Sequence, residues 1–136
     1  MLVNQKLSKV VAQRVEVRTK WGQSFNNAFK ALGRLPGAVY VEGYALSGSP
    51  LKQVEHGWVE YEGQIIDPTF PKGVARYEPG LRFTRKELHE AMDTISKNLH
   101  TADLPIFYRL GWGGSESPEM MLANKRTAVA LSAASE

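Results

Sequence analysis

Apolar positions recur along this chain in two rhythms, one suited to helices and one to strands. In residues 1–20, Leu7, Val10, Val11, Arg14 and Val15 are spaced for an N-terminal helix, and Thr19-Lys20-Trp21-Gly22 breaks that pattern. Phe25, Ala28, Phe29 and Leu32 then fall at i, i+3, i+4 and i+7, one face of a buried helix that opens at Ser24 and stops at Gly33. From Ala38 to Ala45 the period shortens to two, with Tyr40, Glu42 and Tyr44 on one side of a strand. Gly48-Ser49-Pro50 forms a loop, and Glu55 to Thr69 reads as a hairpin turning at Glu62-Gly63. Phe70 to Gly80 reads as a loop passing near the hairpin. Thr84-Arg85-Lys86-Glu87 is a capping box, and Leu88, Ala91, Met92, Ile95 and Leu99 line one face of the helix it opens, out to about His100. Beyond it come a short strand at Ile106–Leu110, a loop at Gly111–Ser115, a helix from Glu119 to about Val129 behind Ser117-Pro118, and a frayed end. The pattern predicts an α+β domain spanning 1–136, with N-terminal helices packed on a small antiparallel sheet and further helices C-terminal to it.

The hairpin carries the chemistry. A two-residue turn at Glu62-Gly63 sets Tyr61 opposite Gln64 and Trp58 opposite Asp67, so His56 lies diagonal to Asp67 on the same face. Diagonal partners stand roughly 7–8 Å apart, a gap these two side chains can close. A three-residue loop with Gly63 at a bulge would instead put them on opposite faces. Ser24, at a helix start, is either an N-cap or a nucleophile waiting for that histidine.

Composition narrows the setting. Hydrophobic content of 43% and charged content of 23% are ordinary for a globular protein. The net charge of +3 comes from scattered basic residues, which does not argue for nucleic acid. No apolar run is long enough for a membrane span and the start lacks a signal-peptide core, so a cytoplasmic protein is expected. With zero cysteines, disulfides, thiolate metal sites and a cysteine nucleophile are excluded in this chain. His89 and Asp93 sit at i, i+4 without an evident third ligand, which favours a solvated helix face over a metal site, and no cofactor is expected. His100 reads as a partner of the helix dipole, and the Gly111–Ser115 loop lacks the residues of a phosphate-binding loop.

Trp21-Gly22-Gln23-Ser24-Phe25-Asn26-Asn27-Ala28, Tyr40-Val41-Glu42-Gly43-Tyr44-Ala45, His56-Gly57-Trp58-Val59 and Gly63 through Asp67-Pro68-Thr69 together resemble the transglutaminase-like branch of the papain-like cysteine hydrolases. The resemblance spans residues 21–69, and it rests on order, spacing and flanking residues. It implies a papain-like core, a Cys-His-Asp triad falling on Ser24, His56 and Asp67, and acyl transfer on peptide or protein amides by hydrolysis, deamidation or transamidation. Gln23 and the residue-24 N–H would then serve the oxyanion, Trp58 would cover the histidine or wall the cleft unless it is simply a core aromatic, and Glu42 and Tyr44 would face substrate unless Glu42 is an exposed strand carboxylate. The family places cysteine where this chain has Ser24. A hydroxyl cannot form the resting thiolate-imidazolium pair that a thiol can. Three readings follow: a cysteine-to-serine replacement that leaves an inactivated variant, a natural pseudoenzyme that binds a protein or peptide, and a working serine enzyme.

Overall fold

The computed structural model describes residues 1–15, 23–69 and 73–99, with backbone alone for 94–99. Its elements are α1 (Gln5–Arg14), α2 (Ser24–Leu32), β1 (Val39–Ser47), β2 (Lys52–Tyr61), β3 (Gln64–Ile66), β4 (Val74–Thr84) and α3 (Arg85–Leu99). The strands form one antiparallel sheet in the order β3-β2-β1-β4, so the fold is α+β. The readings at Trp21-Gly22, His100, Ile106–Leu110, Gly111–Ser115 and Glu119–Val129 lie outside the described residues.

The hairpin turn is the two-residue form. Glu62 and Gly63 have φ of 51° and 74°. Two successive left-handed residues are what a tight loop requires to match the strand twist. Tyr61 faces Gln64, Glu60 faces Ile65 and Val59 faces Ile66, as the alternation predicts. The bulged alternative is thereby removed. β3 ends at Ile66, and Asp67 follows it in the same parity.

The two faces of the sheet have separate packing. On one, Tyr40, Val59, Ile66, Leu81 and Phe83 meet Val11 and Val15 from the α1 end, Phe25, Ala28 and Leu32 from α2, and Leu88 and Ala91 from α3. On the other, Val41, Trp58 and Ile65 cluster with Val3, Val39 and Tyr77. Leu7 and Val11 of α1 point inward as their spacing predicts, but Val10 is exposed. The capping box is realised in both directions. Thr84 N–H donates to Glu87 Oε1 at 2.9 Å, and Glu87 N–H donates to Thr84 Oγ1 at 3.1 Å.

One reading needs correction. Val74 to Gly80, expected to be loop, is the larger part of β4, whose Pro79-Gly80 reads as a turn signal. The pair fits because β4 is an edge strand, where a missing N–H is tolerated, and because the register slips between Glu42 and Gly43. At that slip Gly43 has no room for a side chain, since a Cβ there would lie 2.2 Å from the Glu78 carbonyl oxygen. The bulge thus carries β4 past Pro79 and sets Tyr77 opposite Ala45, on the same face as His56 and Trp58.

Candidate active site

Strand β2 carries His56 and the glycine against which the start of α2 packs. His56 and Trp58 lie on either side of Gly57, which faces α2. A Cβ on Gly57 would come within 2.8 Å of Phe25 Cδ1 and 2.9 Å of Phe25 Cα, so the first turn of α2 rests on bare strand backbone. That approach lets the Gly57 N–H donate to Ser24 Oγ at 3.2 Å. The serine oxygen is thus held one residue from His56.

Ser24 does not cap its own helix. Gln23 occupies the N-cap position without a side-chain capping bond, and Ser24 is the first helical residue. Its hydroxyl oxygen is directed across to β2 instead. Ser24 stands at the positive end of α2, where the first N–H groups of a helix lack intrahelical acceptors.

His56 Nε2 lies 2.7 Å from Asp67 Oδ2, and the two side chains are 1% and 0% exposed. A carboxylate without a proton only accepts, so beside such a carboxylate Nε2 is the donor in this contact and the neutral ring carries its proton there rather than on Nδ1. The carboxylate has further donors. Tyr77 O–H reaches Oδ2 at 2.7 Å and Thr69 N–H reaches Oδ1 at 3.0 Å. Burying a carboxylate is costly unless such bonds compensate it.

A second set of side chains fixes the segment that bears Asp67. Asp67 N–H donates to the Oγ of Ser8, a buried residue of α1, at 2.9 Å, and that hydroxyl donates to the Asn4 carbonyl at 2.7 Å. Asn4 caps α1 by accepting from Leu7 N–H, and its own N–H bonds to the Ile65 carbonyl. Asn27 Nδ2 donates to Thr69 Oγ1 at 2.8 Å, tying α2 to the same segment. Helix α2 and the Asp67 carboxylate therefore share a frame.

Trp58 is fully buried, stacks on His56 with ring centroids 6.1 Å apart, and meets Tyr77 edge-on at 5.0 Å. Its Nε1 has no acceptor among the described residues. Trp58 and Tyr77 also wall a cavity of about 480 Å³ together with Val3, Ile65, Pro79 and Arg82. At its edge Arg82 pairs with Glu60, Nε to Oε1, at 2.8 Å.

The remaining sequence candidates resolve differently. Asp67 meets His56 directly, Ser24 meets the backbone next to His56, and Gln23 and Trp58 adjoin them in the chain. Glu42, for which an exposed position was one expectation, is 0% exposed and accepts a 2.6 Å bond from Tyr40 O–H. It lies opposite Gly57 in register, on the face covered by α2. Tyr44 is also buried, at 5% exposure. His89 and Asp93 are solvent-exposed, and His89 packs edge-on against Phe29 at 5.8 Å. No group of three or more His, Asp or Glu side chains placed to hold a metal is found among the described residues. No helix among them is long and apolar enough to cross a membrane.

Sequence reasoning overlooked Ser8, Asn27 and Tyr77. For Ser8 a signal existed, since it is a polar residue within the apolar stripe of Leu7 and Val11. For Tyr77 none did, because its place depends on the bulge.

Comparison of the chain with family models, curated proteins and solved structures finds no match.

Burial pushes Tyr77 well above the usual tyrosine range, with Asp67 adding to the effect by its charge and its hydrogen bond. Tyr40 is raised likewise by burial first, then by Glu42. Both hydroxyls keep their protons in the fold at pH values where an unfolded chain, with tyrosines near ~10, releases them. The stability they contribute is full below that value and is lost as pH rises past it. Tyrosinate absorbance from these two residues is expected only as circular dichroism reports unfolding. Ionisation of every tyrosine near ~10 in a folded protein would contradict this.

Proposed function

We propose that this chain is an acyl-transfer domain of the cysteine-hydrolase and transglutaminase type, acting on peptide or protein amides, with a serine at the nucleophile position. The observation that carries the reading is that Ser24 Oγ accepts from the backbone N–H next to His56 while Asp67 Oδ2 meets His56 Nε2. The residue at 24 attacks the carbonyl carbon, its proton passes to His56, and His56 returns a proton to the departing amine. The acyl group then goes to water or to a second amine. Asp67 keeps the imidazole in one tautomer and stabilises its charged form. The Ser24 N–H, at the positive end of α2, and the Gln23 side chain are the groups proposed to hold the oxyanion. The cavity beside Trp58 and Tyr77 has the size of an ordinary ligand pocket, which suits a substrate side chain.

With serine in place, turnover is expected to be low, because this geometry suits a thiol ionised in advance rather than a hydroxyl deprotonated during attack. Installing cysteine tests that. A free thiol with a pKa near ~8.5 is only about 3% thiolate at neutral pH, so an ionised thiol that is somewhat less nucleophilic reacts about tenfold faster. Ser24→Cys is expected to show that gain toward iodoacetamide near neutrality and to lose it when His56→Ala is added. A cysteine that reacts like a free thiol with or without His56 would favour the second reading, a pseudoenzyme that binds a protein or peptide. That reading has its own support, since Ser24 and His56 are 5% and 1% exposed.

A further inference from the structure

The carboxylate of Asp67 has two oxygens with unequal duties. Oδ1 accepts from the Thr69 N–H within its own turn. Oδ2 accepts from both His56 Nε2 and Tyr77 O–H, each at 2.7 Å. Tyr77 reaches this oxygen from β4, the far edge of the sheet, across two intervening strands in the order β3-β2-β1-β4. Its ring is itself fixed, edge-on to Trp58 at 5.0 Å and tilted over His56 at 6.3 Å. The Glu42/Gly43 bulge sets this register, so the phenol is placed by the sheet and not by a flexible loop.

We infer that Tyr77 is a positioning residue of the triad: its hydroxyl fixes the Asp67 oxygen that orients His56, and so governs how well His56 activates the residue at 24. The inference rests on the acyl-transfer reading and adds a fourth residue to it. Without the Tyr77 hydroxyl, Oδ2 loses one of the donors that oppose rotation of the carboxylate about its Cβ–Cγ bond, and that rotation would carry the imidazole with it. A second donor on Oδ2 opposes that rotation. The phenol can do so throughout the working range because it stays protonated. The Tyr77 ring walls the cavity beside Trp58, but its hydroxyl is spent on Asp67, and its effect on the residue at 24 passes through that carboxylate.

The test uses the full chain carrying Ser24→Cys, with iodoacetamide as probe and the alkylation rate followed against pH. Tyr77→Phe keeps the ring that packs on Trp58 and removes only the O–H. Misplacing a catalytic group by a fraction of an ångström lowers rates by about tenfold, so that fall is expected near neutrality. Above the ordinary thiol pKa the cysteine ionises unaided, and there the rate should match the parent. A merely structural loss would alter both limbs. Because the effect runs through Asp67, adding Tyr77→Phe to Asp67→Asn should cost nothing further.

Neutral-pH reactivity within twofold of the parent, or full additivity with Asp67→Asn, would overturn the inference while leaving the triad reading intact. If the thiol of Ser24→Cys is not activated even with Tyr77 and His56 present, both fall together. Should Tyr77→Phe lower thermal stability, the measurement is repeated at a temperature where circular dichroism shows it folded, and the same two limbs decide.

Discussion

Gly57→Ala is expected to lift the first turn of α2 from β2 and to abolish most activated reactivity at position 24. The added methyl would sit 2.9 Å from Phe25 Cα and 2.8 Å from Phe25 Cδ1. The aromatic edge could rotate, but the backbone atom cannot yield without moving the helix. Overpacking of this kind costs about 1–3 kcal/mol of stability. The functional loss should be larger. A shift of about 1 Å at a reacting group lowers rates by as much as a hundredfold, and Ser24 Oγ would also lose the Gly57 N–H that holds it. The measurement is the neutral-pH alkylation rate of Ser24→Cys with and without Gly57→Ala, alongside thermal denaturation. Gly33→Ala is the control, because it lies at the opposite end of the same helix and its Cβ would meet only the Lys30 carbonyl oxygen at 3.5 Å. If Gly57→Ala lowers the melting temperature yet leaves the thiol at position 24 as reactive as before, the tight contact does not position the nucleophile.

The residues that could be read from sequence were those whose environment is local. The α2 stripe, the Thr84–Glu87 capping box and the His56–Asp67 parity each depend on neighbours within about a dozen positions, and each appears in the structure. Even there, the serine at the start of α2 was ambiguous between cap and nucleophile. The structure removes the cap, because Ser24 Oγ accepts instead from the Gly57 N–H, thirty-three positions away in the chain. Long-range features were illegible for the same reason. Pro79-Gly80 looked like a turn because its local chemistry is that of a turn, and only pairing with Gly43 makes it part of a strand. Tyr77 was hidden with it. Glu42 looked exposable because a strand carboxylate usually is, whereas the α2 face and Tyr40 enclose it here. Ser8 and Asn27 bind the Asp67 segment across 59 and 42 positions; a polar Ser8 in an apolar stripe signals a buried partner, but at such separations spacing cannot say which.

Asp67→Ala should be the most destabilising single change among Ser24, His56 and Asp67, because one carboxylate answers several donors. Removing it leaves the buried His56 Nε2 and Thr69 N–H, and the half-buried Tyr77 O–H, without their acceptor. Breaking a buried pair in this way costs about 3–5 kcal/mol, a large part of the roughly 5–15 kcal/mol that holds a domain folded. The melting temperature should fall by about 10–20 °C. Asp67→Asn keeps the shape and one acceptor oxygen, so its loss should be smaller, while activation of the thiol in the Ser24→Cys background disappears in both because neither variant supplies the negative charge that stabilises the imidazolium. The comparison separates structure from chemistry. Equal melting temperatures for Asp67→Ala and the parent would mean that the donors find other acceptors and that the carboxylate is not what organises this corner of the fold. Retained neutral-pH reactivity in Asp67→Asn would mean that His56 acts without its charged partner, and the triad would reduce to a pair.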